Sequence, residues 1–144
     1  MSLNIATNNP NCLFCQIIIN KIDHYKIYEN EFIYAFLDLF PLSKGHVLII
    51  TKHHFSKLTT TIDNELEQIL IAGKKIALKI KAIFNPLGFN YLINEAKIAS
   101  QTVFHTHLHL IPKYSQNDGL FLKRSTIDQQ AKNNLLTIQK KIAF

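Results

Sequence analysis

The most informative stretch of the sequence is Val103-Phe104-His105-Thr106-His107-Leu108-His109-Leu110-Ile111-Pro112, because every second residue from His105 to His109 is a histidine. Side chains alternate between the two faces of a β-strand, so this pattern predicts a strand with His105, His107 and His109 on one face. A row of imidazoles about 6.6 Å apart can bind an anion or a metal, or present one ring as a nucleophile. The opposite face, which is suited to packing on a core, consists of Phe104, Thr106, Leu108 and Leu110.

The composition is typical of one globular domain. The chain has 144 residues, of which 47% are hydrophobic and 18% charged, so residues 1–144 are treated as a single domain with a core. Residues 1–11 are expected to form a loose N-terminal lead-in. The net charge of +6 favours anionic partners, but the lysines are scattered, so no specific nucleic-acid binding is expected.

The chain lacks the patterns of membrane and secreted proteins. No apolar run approaches the roughly 20 residues that a membrane-spanning helix needs, and the first residues do not form a signal peptide. The two cysteines, Cys12 and Cys15, are close in sequence. We expect a reducing cytoplasm, where such a pair is more often a metal or redox site than a structural disulfide.

The periodicity of the apolar residues predicts an α+β fold, with a mainly antiparallel sheet of about five strands. A 3.6-residue stripe predicts one long helix over residues 62–84, with Thr61 or Asp63 as its N-cap. A short helix is predicted over residues 13–20 and a last amphipathic segment over residues 127–142. The predicted strands are residues 26–29, 31–38, 46–51, 89–94 and the histidine stretch.

The cysteine pair predicts a zinc site. Two thiolates and two imidazoles make a closed tetrahedral site, and His54 and His105 are candidates for the imidazoles. A thioredoxin-like redox pair is the alternative, but that motif precedes a long helix in a βαβ unit, which this chain lacks.

Neutral hydrogen-bond donors accompany the histidines. His46, Asn94 and the Ser100-Gln101-Thr102 run suit a phosphate that is held without a metal. A metal-dependent hydrolase with the histidines as ligands is the rival hypothesis. Such sites usually recruit a carboxylate nearby, and no acidic residue lies between Glu95 and Asp118.

Taken together, these segments resemble the histidine triad (HIT) family over nearly the whole chain, and in particular its nucleoside phosphoramidase-like (Hint-like) bacterial branch. Residues 105–112 resemble the signature of the family, which is a triad of histidines separated by apolar residues. The other matching segments are residues 12–18, 35–38, 44–46 and 52–54, Asn94, and residues 101–104.

The resemblance implies an enzyme that cleaves purine nucleoside phosphoramidates or related nucleotidyl substrates at the α-phosphate. His107 is similar to the family nucleophile, which forms a nucleotidyl-histidine intermediate, and His46 and His109 are similar to the flanking catalytic histidines. The resemblance also implies an AMP- or GMP-like ligand, a two-fold homodimer, and a structural zinc held by Cys12, Cys15, His54 and His105. The residues implied to bind the nucleotide are Ile17, Phe36, Asp38, Leu39, Asn94, Gln101 and Thr102.

Two alternatives stay open beside this function. One is a dinucleoside polyphosphate hydrolase, and the other is a zinc-stapled nucleotide-binding or scaffold protein with negligible turnover. The sequence also departs from the family pattern, because Ala96 and Ser100 stand where glycines are frequent and Lys113 stands where arginine is frequent. A Cβ at residues 96 and 100 is expected to stiffen or shift the loop before the triad.

Overall fold

One five-stranded antiparallel sheet carries His107 and His109, and the α+β prediction is confirmed. Its strand order is β1-β2-β3-β5-β4, and the structure, a computed structural model, describes residues 9–144. The strands are β1 (Lys26–Glu29), β2 (Ile33–Leu37), β3 (Val47–Thr51), β4 (Gly88–Leu92) and β5 (His107–Lys113). The helices are α1 (Leu13–Ile18), α2 (Asp63–Phe84), α3 (Gln129–Asn133) and α4 (Leu135–Ile142).

The long helix α2 covers one face of the sheet. Leu108 and Leu110 of β5 point to this face and share a buried core with Ile49 of β3 and Ile69 of α2. The helix lies close to β5, since a Cβ built on Gly73 would be 3.0 Å from the side chain of Leu108. A larger residue at this helix position would therefore push α2 away from β5.

The short helix α1 packs on the other face of the same sheet. Phe14, Cys15 and Ile17 are buried there against Phe36 of β2 and Ile50 of β3. The register of β3 and β5 pairs Ile50 with His107 and Leu48 with His109. These two histidines therefore project toward α1, away from the core beneath α2.

The histidine strand is shorter than the sequence pattern predicts, because β5 begins at His107 rather than at Val103. The amide of His105 donates to the carbonyl of Val103 at 2.9 Å, which is a tight turn, and the amide of Thr106 donates to the carbonyl of Phe55 at 2.7 Å. His105 therefore lies before the strand and not on it, and that part of the prediction is wrong. Its ring still lies on the side of the sheet that α1 covers, since Phe14 packs edge-on against both His105 and His107. A bend takes its ring toward the two cysteines.

The N-terminal end of α2 is capped differently from the prediction. Ile62 occupies the N-cap position without a side-chain hydrogen bond, and Asp63 is already the first helical residue. The hydroxyl of Thr61 is used elsewhere, 2.7 Å from that of Thr106. At the other end, Asn85 closes the helix in the left-handed conformation, with φ of 49°.

The C-terminal segment forms two short helices instead of one amphipathic segment over residues 127–142. The side chain of Asp128 accepts from the amide of Ala131 at 2.9 Å and starts α3, and Asn134 separates α3 from α4. Within residues 9–144, each helix is too short or too polar to cross a membrane. Of the expected N-terminal lead-in, residues 1–8 lie outside the described residues, while the amide of Cys12 donates to the carbonyl of Asn9 in a turn.

Candidate active site and metal centre

His107 is held at the start of β5 with one ring nitrogen already committed. Its Nδ1 lies in hydrogen-bond contact with the carbonyl of His105, which can only accept, so Nδ1 carries the proton and Nε2 carries the lone pair. The ring is buried, with the ring of Phe14 packed edge-on at a centroid distance of 5.1 Å. Burial lowers the pKa of His107, so the ring is neutral near pH 7. A neutral imidazole with a free Nε2 is a competent nucleophile.

His46 and His109 form a chain of hydrogen bonds beside His107. The amide of Leu42 donates to Nδ1 of His46 at 3.2 Å, so the proton of His46 is on Nε2. Nε2 of His46 lies 3.0 Å from Nδ1 of His109, which therefore accepts. The remaining proton of His109 is on Nε2, and this ring presents a donor. The carboxylate of Asp38 lies 3.5 Å from Nε2 of His46.

The surroundings keep these rings uncharged. Burial, followed by the nearby His107 and His46, lowers the pKa of His109 to about 4. Burial also lowers the pKa of His46, against the opposing effect of Asp38. The ring centroids of His107 and His109 are 5.0 Å apart, so a nucleophile and a neutral donor lie side by side.

An apolar cleft of about 360 Å³ opens beside these two rings. Five of the seven residues predicted to bind the nucleotide line it together with His107 and His109: Ile17, Phe36, Asp38, Leu39 and Thr102. The other residues of its wall were not predicted from the sequence: Leu13, Phe14, His24, Phe40, Leu48 and Val103. Phe14 lies in the segment that predicts the short helix, where an apolar residue gives the same signal as an ordinary core residue.

Gln101 and Asn94 are not on this wall. The side-chain oxygen of Gln101 accepts from the amide of Ala96 at 2.9 Å, and its nitrogen donates to the carbonyls of Ser56 at 2.7 Å and Val103 at 3.2 Å. Its polar atoms therefore hold the loop before the triad. Asn94 lines a neighbouring cleft, where its amide donates to the carbonyl of Ser100 at 3.3 Å.

The loop that Gln101 closes contains the two residues that replace glycines of the family pattern. Ala96 has φ of 73° and ψ of 155°, and Ser100 has φ of 71° and ψ of 21°. Both have positive φ, and the conformation of Ala96 is one that is essentially restricted to glycine. The loop keeps a glycine-type backbone without the glycines, so local strain is stored next to the site.

The bend at residues 103–105 brings His105 to the cysteine pair. Nδ1 of His105 lies 3.4 Å from Sγ of Cys12 and 3.6 Å from Sγ of Cys15, and Nδ1 of His54 lies 3.4 Å from Sγ of Cys15. The ligand atoms of all four residues lie within 4.8 Å of one another. The edge between sulfur and nitrogen in a tetrahedral zinc site is about 3.5 Å, from bond lengths of about 2.3 and 2.05 Å.

The donor groups also have the chemistry that zinc requires. Nε2 of His105 donates to the carbonyl of Thr51 at 2.7 Å, so the lone pair of Nδ1 points at the cluster. Burial raises the pKa of the Cys15 thiol to about 11, so a thiolate there needs a cation beside it. The residues present fit a closed structural zinc site. The contribution of Thr51 was missed in the sequence, where a strand threonine has no distinguishing signal.

A hydrogen-bonded pair of a buried carboxyl group and a half-buried histidine lies beside this cluster and was also missed. The carboxylate of Glu65, in the first turn of α2, pairs with Nδ1 of His53. Burial raises the pKa of Glu65, and its second oxygen has no partner in the part of the chain that the structure describes. Because His53 precedes His54, the pair ties the segment that carries a candidate metal ligand to α2.

Comparison with known proteins agrees with this fold. The model of the HIT domain family matches residues 20–116, more than half of the chain. A HIT family protein from Bacillus anthracis superposes with a TM-score of 0.86 at 43% identity, over 93% of this chain and 96% of that protein. The chain belongs to the histidine triad, or HIT, family.

Two further relatives bear on activity and metal. The adenosine 5'-monophosphoramidase HNT1 of Candida albicans is 41% identical over 117 residues, which are 78% of this chain and 77% of the relative. A zinc-bound histidine triad family protein from Mycobacterium smegmatis superposes with a TM-score of 0.72 at 32% identity, over 92% of this chain and 95% of that protein. The chain is thus similar to a named hydrolase and to a zinc-containing structure.

Proposed function

We propose that the protein is a hydrolase that cleaves purine nucleoside phosphoramidates, or related nucleotidyl substrates, at the α-phosphate. The observation that carries the proposal is the ring of His107, whose free Nε2 stands beside a neutral donor on His109 at the end of an apolar cleft. The similarity to an adenosine 5'-monophosphoramidase supports the substrate class.

The reaction proceeds in two displacements. Nε2 of His107 attacks the α-phosphorus as the bond from phosphorus to nitrogen breaks, and the departing nitrogen takes a proton from water. The hydroxide left behind is neutralised by the proton that the second displacement releases. The imidazole is then cationic and covalently nucleotidylated, and its Nδ1 proton stays bonded to the carbonyl of His105. Water next attacks the phosphorus, the bond to Nε2 breaks, and the nucleoside monophosphate leaves together with a proton. His107 returns to its neutral form.

The neighbouring side chains bind and orient the substrate. The Nε2 proton of His109, supported by His46, donates to the charged phosphate oxygens, as does the hydroxyl of Thr102. Ile17 and Phe36 form the base pocket, and Asp38 with Leu39 contacts the ribose. Asn94 donates from the neighbouring cleft. Gln101 acts as a positioning residue, because its own donors hold the loop.

Release of AMP from adenosine 5'-phosphoramidate tests this function. Turnover that continues after dialysis against a chelator supports the nucleophilic mechanism. Binding of AMP without any release of product would instead favour the nucleotide-binding or scaffold protein, and preferential cleavage of diadenosine polyphosphates would favour the dinucleoside polyphosphate hydrolase.

A metal-dependent hydrolase is the second candidate, because Asp38, His46 and His109 place ligand atoms within 4.8 Å of one another. In that case the chelator abolishes turnover while the zinc proposed at Cys12 and Cys15 is retained, and added divalent metal restores it. The hydrogen-bond chain from Leu42 to His109 favours the metal-independent mechanism. Both ring nitrogens of His46 and Nδ1 of His109 already have hydrogen-bond partners and would have to give them up to bind a metal.

We also propose that Cys12, Cys15, His54 and His105 hold one structural zinc. Bound there, zinc ties α1 to the bend before β5 and sets the position of the His105 carbonyl, which in turn orients His107. The distances between the donor atoms support the assignment, as does the zinc-bound relative.

A homodimer is proposed from the surface of α2 and the edge strand β4. Exposed apolar residues on α2 include Leu70, Ile71 and Leu78, each at least 58% exposed, and within residues 9–144 β4 is an edge strand of the sheet. Such a surface suits a two-fold pairing of identical chains. Light scattering at micromolar concentration should give twice the monomer mass of 16.6 kDa.

A further inference from the structure

The two candidate histidine ligands of the zinc site are held in different ways. The ring of His105 is oriented by its second nitrogen, because Nε2 donates to the carbonyl of Thr51 at 2.7 Å. Nδ1 of His54 lies 3.4 Å from Sγ of Cys15, but within residues 9–144 no hydrogen bond joins Nε2 of His54 to another residue. A histidine ligand usually donates its second ring nitrogen to a carboxylate or a carbonyl, which fixes the ring. The position of His54 therefore depends on its backbone.

The backbone of His54 lies outside the sheet and needs its own attachments. Strand β3 ends at Thr51, three residues before His54. After His54, the carbonyl of Phe55 accepts from the amide of Thr106 at 2.7 Å, which fixes the chain there. Before His54, the carbonyl of His53 accepts from the hydroxyl of Thr51 at 2.7 Å. The side chain of His53 provides one more attachment on this side.

That attachment joins the segment to the long helix. Nδ1 of His53 is hydrogen-bonded to Oε1 of Glu65, which is fully buried in the first turn of α2. We infer that Glu65 is a positioning residue for the zinc site: through His53 it fixes the backbone of His54 and thereby raises the affinity of the site for zinc. This inference rests on the zinc site proposed above.

Packing of the helix does not account for a carboxyl group at this position. The other buried residues of α2 are apolar or glycine: Ile69, Ala72, Gly73, Ile76, Ala77 and Ile80. Within residues 9–144, Oε2 of Glu65 has no hydrogen-bond partner. A buried polar group without a partner destabilises the folded state, so an apolar side chain of similar volume would suit the core better. The hydrogen bond to His53 is what the carboxyl group contributes.

The zinc affinity of three variants tests the inference. The Kd for zinc is measured on the full chain, loaded with one zinc, by competition with a chromogenic chelator. Glu65→Leu removes the hydrogen bond and should raise this Kd about tenfold, at the lower end of the effect expected for an outer partner of a metal ligand. Glu65→Gln keeps a group that can bond to Nδ1 of His53 and should stay within about twofold of the wild type. Glu67→Leu, the same substitution at an exposed position of α2, is the matched control and keeps the wild-type Kd.

The melting temperature of the metal-free protein separates positioning from a general effect on the fold. Metal-free Glu65→Leu should melt at or above the temperature of the metal-free wild type, because leucine leaves no buried oxygen without a partner. His53 is 32% exposed, so water can replace its lost bond. A lower melting temperature together with a weaker zinc affinity would assign Glu65 to the fold as a whole and overturn the inference. Glu65→Met, with a flexible apolar side chain, provides the same test if Glu65→Leu does not fold.

A double variant tests whether Glu65 acts through His53. His53→Ala added to Glu65→Leu should raise the Kd for zinc no further, because the contact between the two side chains is already gone. A second loss of about tenfold on top of the first would show that the two residues act independently, and would overturn the inference.

The wild type separates failure of this inference from failure of the zinc site. If the wild type binds one zinc, and Cys12→Ser with Cys15→Ser abolishes that binding, the site stands. A wild-type Kd for Glu65→Leu would then overturn the role of Glu65 alone. A wild type that binds no zinc would overturn both proposals together.

Discussion

Nε2 of His46 and Nδ1 of His109 lie 3.0 Å apart, and this contact determines which proton each ring carries. The amide of Leu42 can only donate, so it occupies the lone pair of His46 Nδ1 and leaves the proton on Nε2. His109 then accepts on Nδ1 and keeps its own proton on Nε2, facing the candidate phosphate site. A backbone amide thus defines the proton arrangement two rings away.

The first prediction follows from this chain of donors. His109→Ala should lower kcat about 10²–10³-fold, as expected for loss of one donor to a developing charge, while His46→Ala should cost less because it acts through His109. The double variant should lose little more kcat than His109→Ala alone, since the effects of substitutions within one hydrogen-bond network are not additive. Multiplicative losses in steady-state kinetics would contradict the chain and make the two rings independent.

The second prediction concerns His107. His107→Ala should fold and bind AMP but lose several orders of magnitude in turnover, because the covalent route is gone. Mass spectrometry after brief mixing with an activated AMP donor should locate the adduct on His107 in the wild type. An adduct on His105 or His109, or normal turnover by His107→Ala, would exclude the proposed mechanism.

The third prediction concerns the zinc site. Cys12→Ser combined with Cys15→Ser should abolish the zinc content of protein purified without chelator and lower its melting temperature, and His105→Ala should do the same. His24→Ala is the matched control, because this ring is hydrogen-bonded to Tyr34 and lies outside the cluster of candidate zinc ligands. If both the metal content and the melting temperature of the double cysteine variant stayed at wild-type values, the ligand assignment would be wrong.

The fourth prediction concerns strain at Ala96. A non-glycine residue in this conformation destabilises the folded state by about 1–3 kcal/mol, and glycine would remove this strain. Glycine also loses more backbone entropy on folding, which offsets roughly 0.5–1 kcal/mol of the stabilisation. Ala96→Gly should therefore raise the free energy of unfolding by about 1 kcal/mol, measured by urea denaturation. Ala99→Gly, in the short 3-10 turn of the same loop, should instead lower the free energy of unfolding. Destabilisation by both substitutions would show that no strain is stored at residue 96.

The fifth prediction uses the pKa of His109, which burial lowers to about 4. A histidine in the unfolded chain has a pKa near 6.5, so above pH 6.5 His109 is neutral in both states and leaves the free energy of unfolding unchanged. As pH falls from about 6.5 to about 4, the unfolded chain binds a proton that folded His109 does not bind, and the free energy of unfolding decreases. The ring nitrogen resonances of His109 should stay constant from pH 8 to about 5, with the proton on Nε2. Titration near pH 6.5, or a proton on Nδ1, would contradict the buried hydrogen-bond chain.

Much of the fold could be predicted from local patterns. The apolar runs of β2 and β3 and the long stripe of α2 are properties of neighbouring residues, and the α+β prediction based on them is confirmed. The family was also recognisable, because the triad and its flanking segments are short stretches of characteristic sequence. Element ends were less accurate, as at Thr61, whose hydroxyl has a partner 45 residues away.

The sequence by itself determined which residue types are present for the chemistry: a strand that places His107 and His109 on one face, and a cysteine pair with histidines available. Only the tertiary structure decided how His105 differs from them, because its bend depends on Phe55 and its ring on Thr51. The same holds for Gln101, whose donors are taken by the loop, and for the neighbouring cleft that Asn94 lines, whose wall comes from residues far apart in sequence. Periodicity records which way a side chain points from its own strand, whereas hydrogen-bond partners and cleft walls depend on contacts between distant segments.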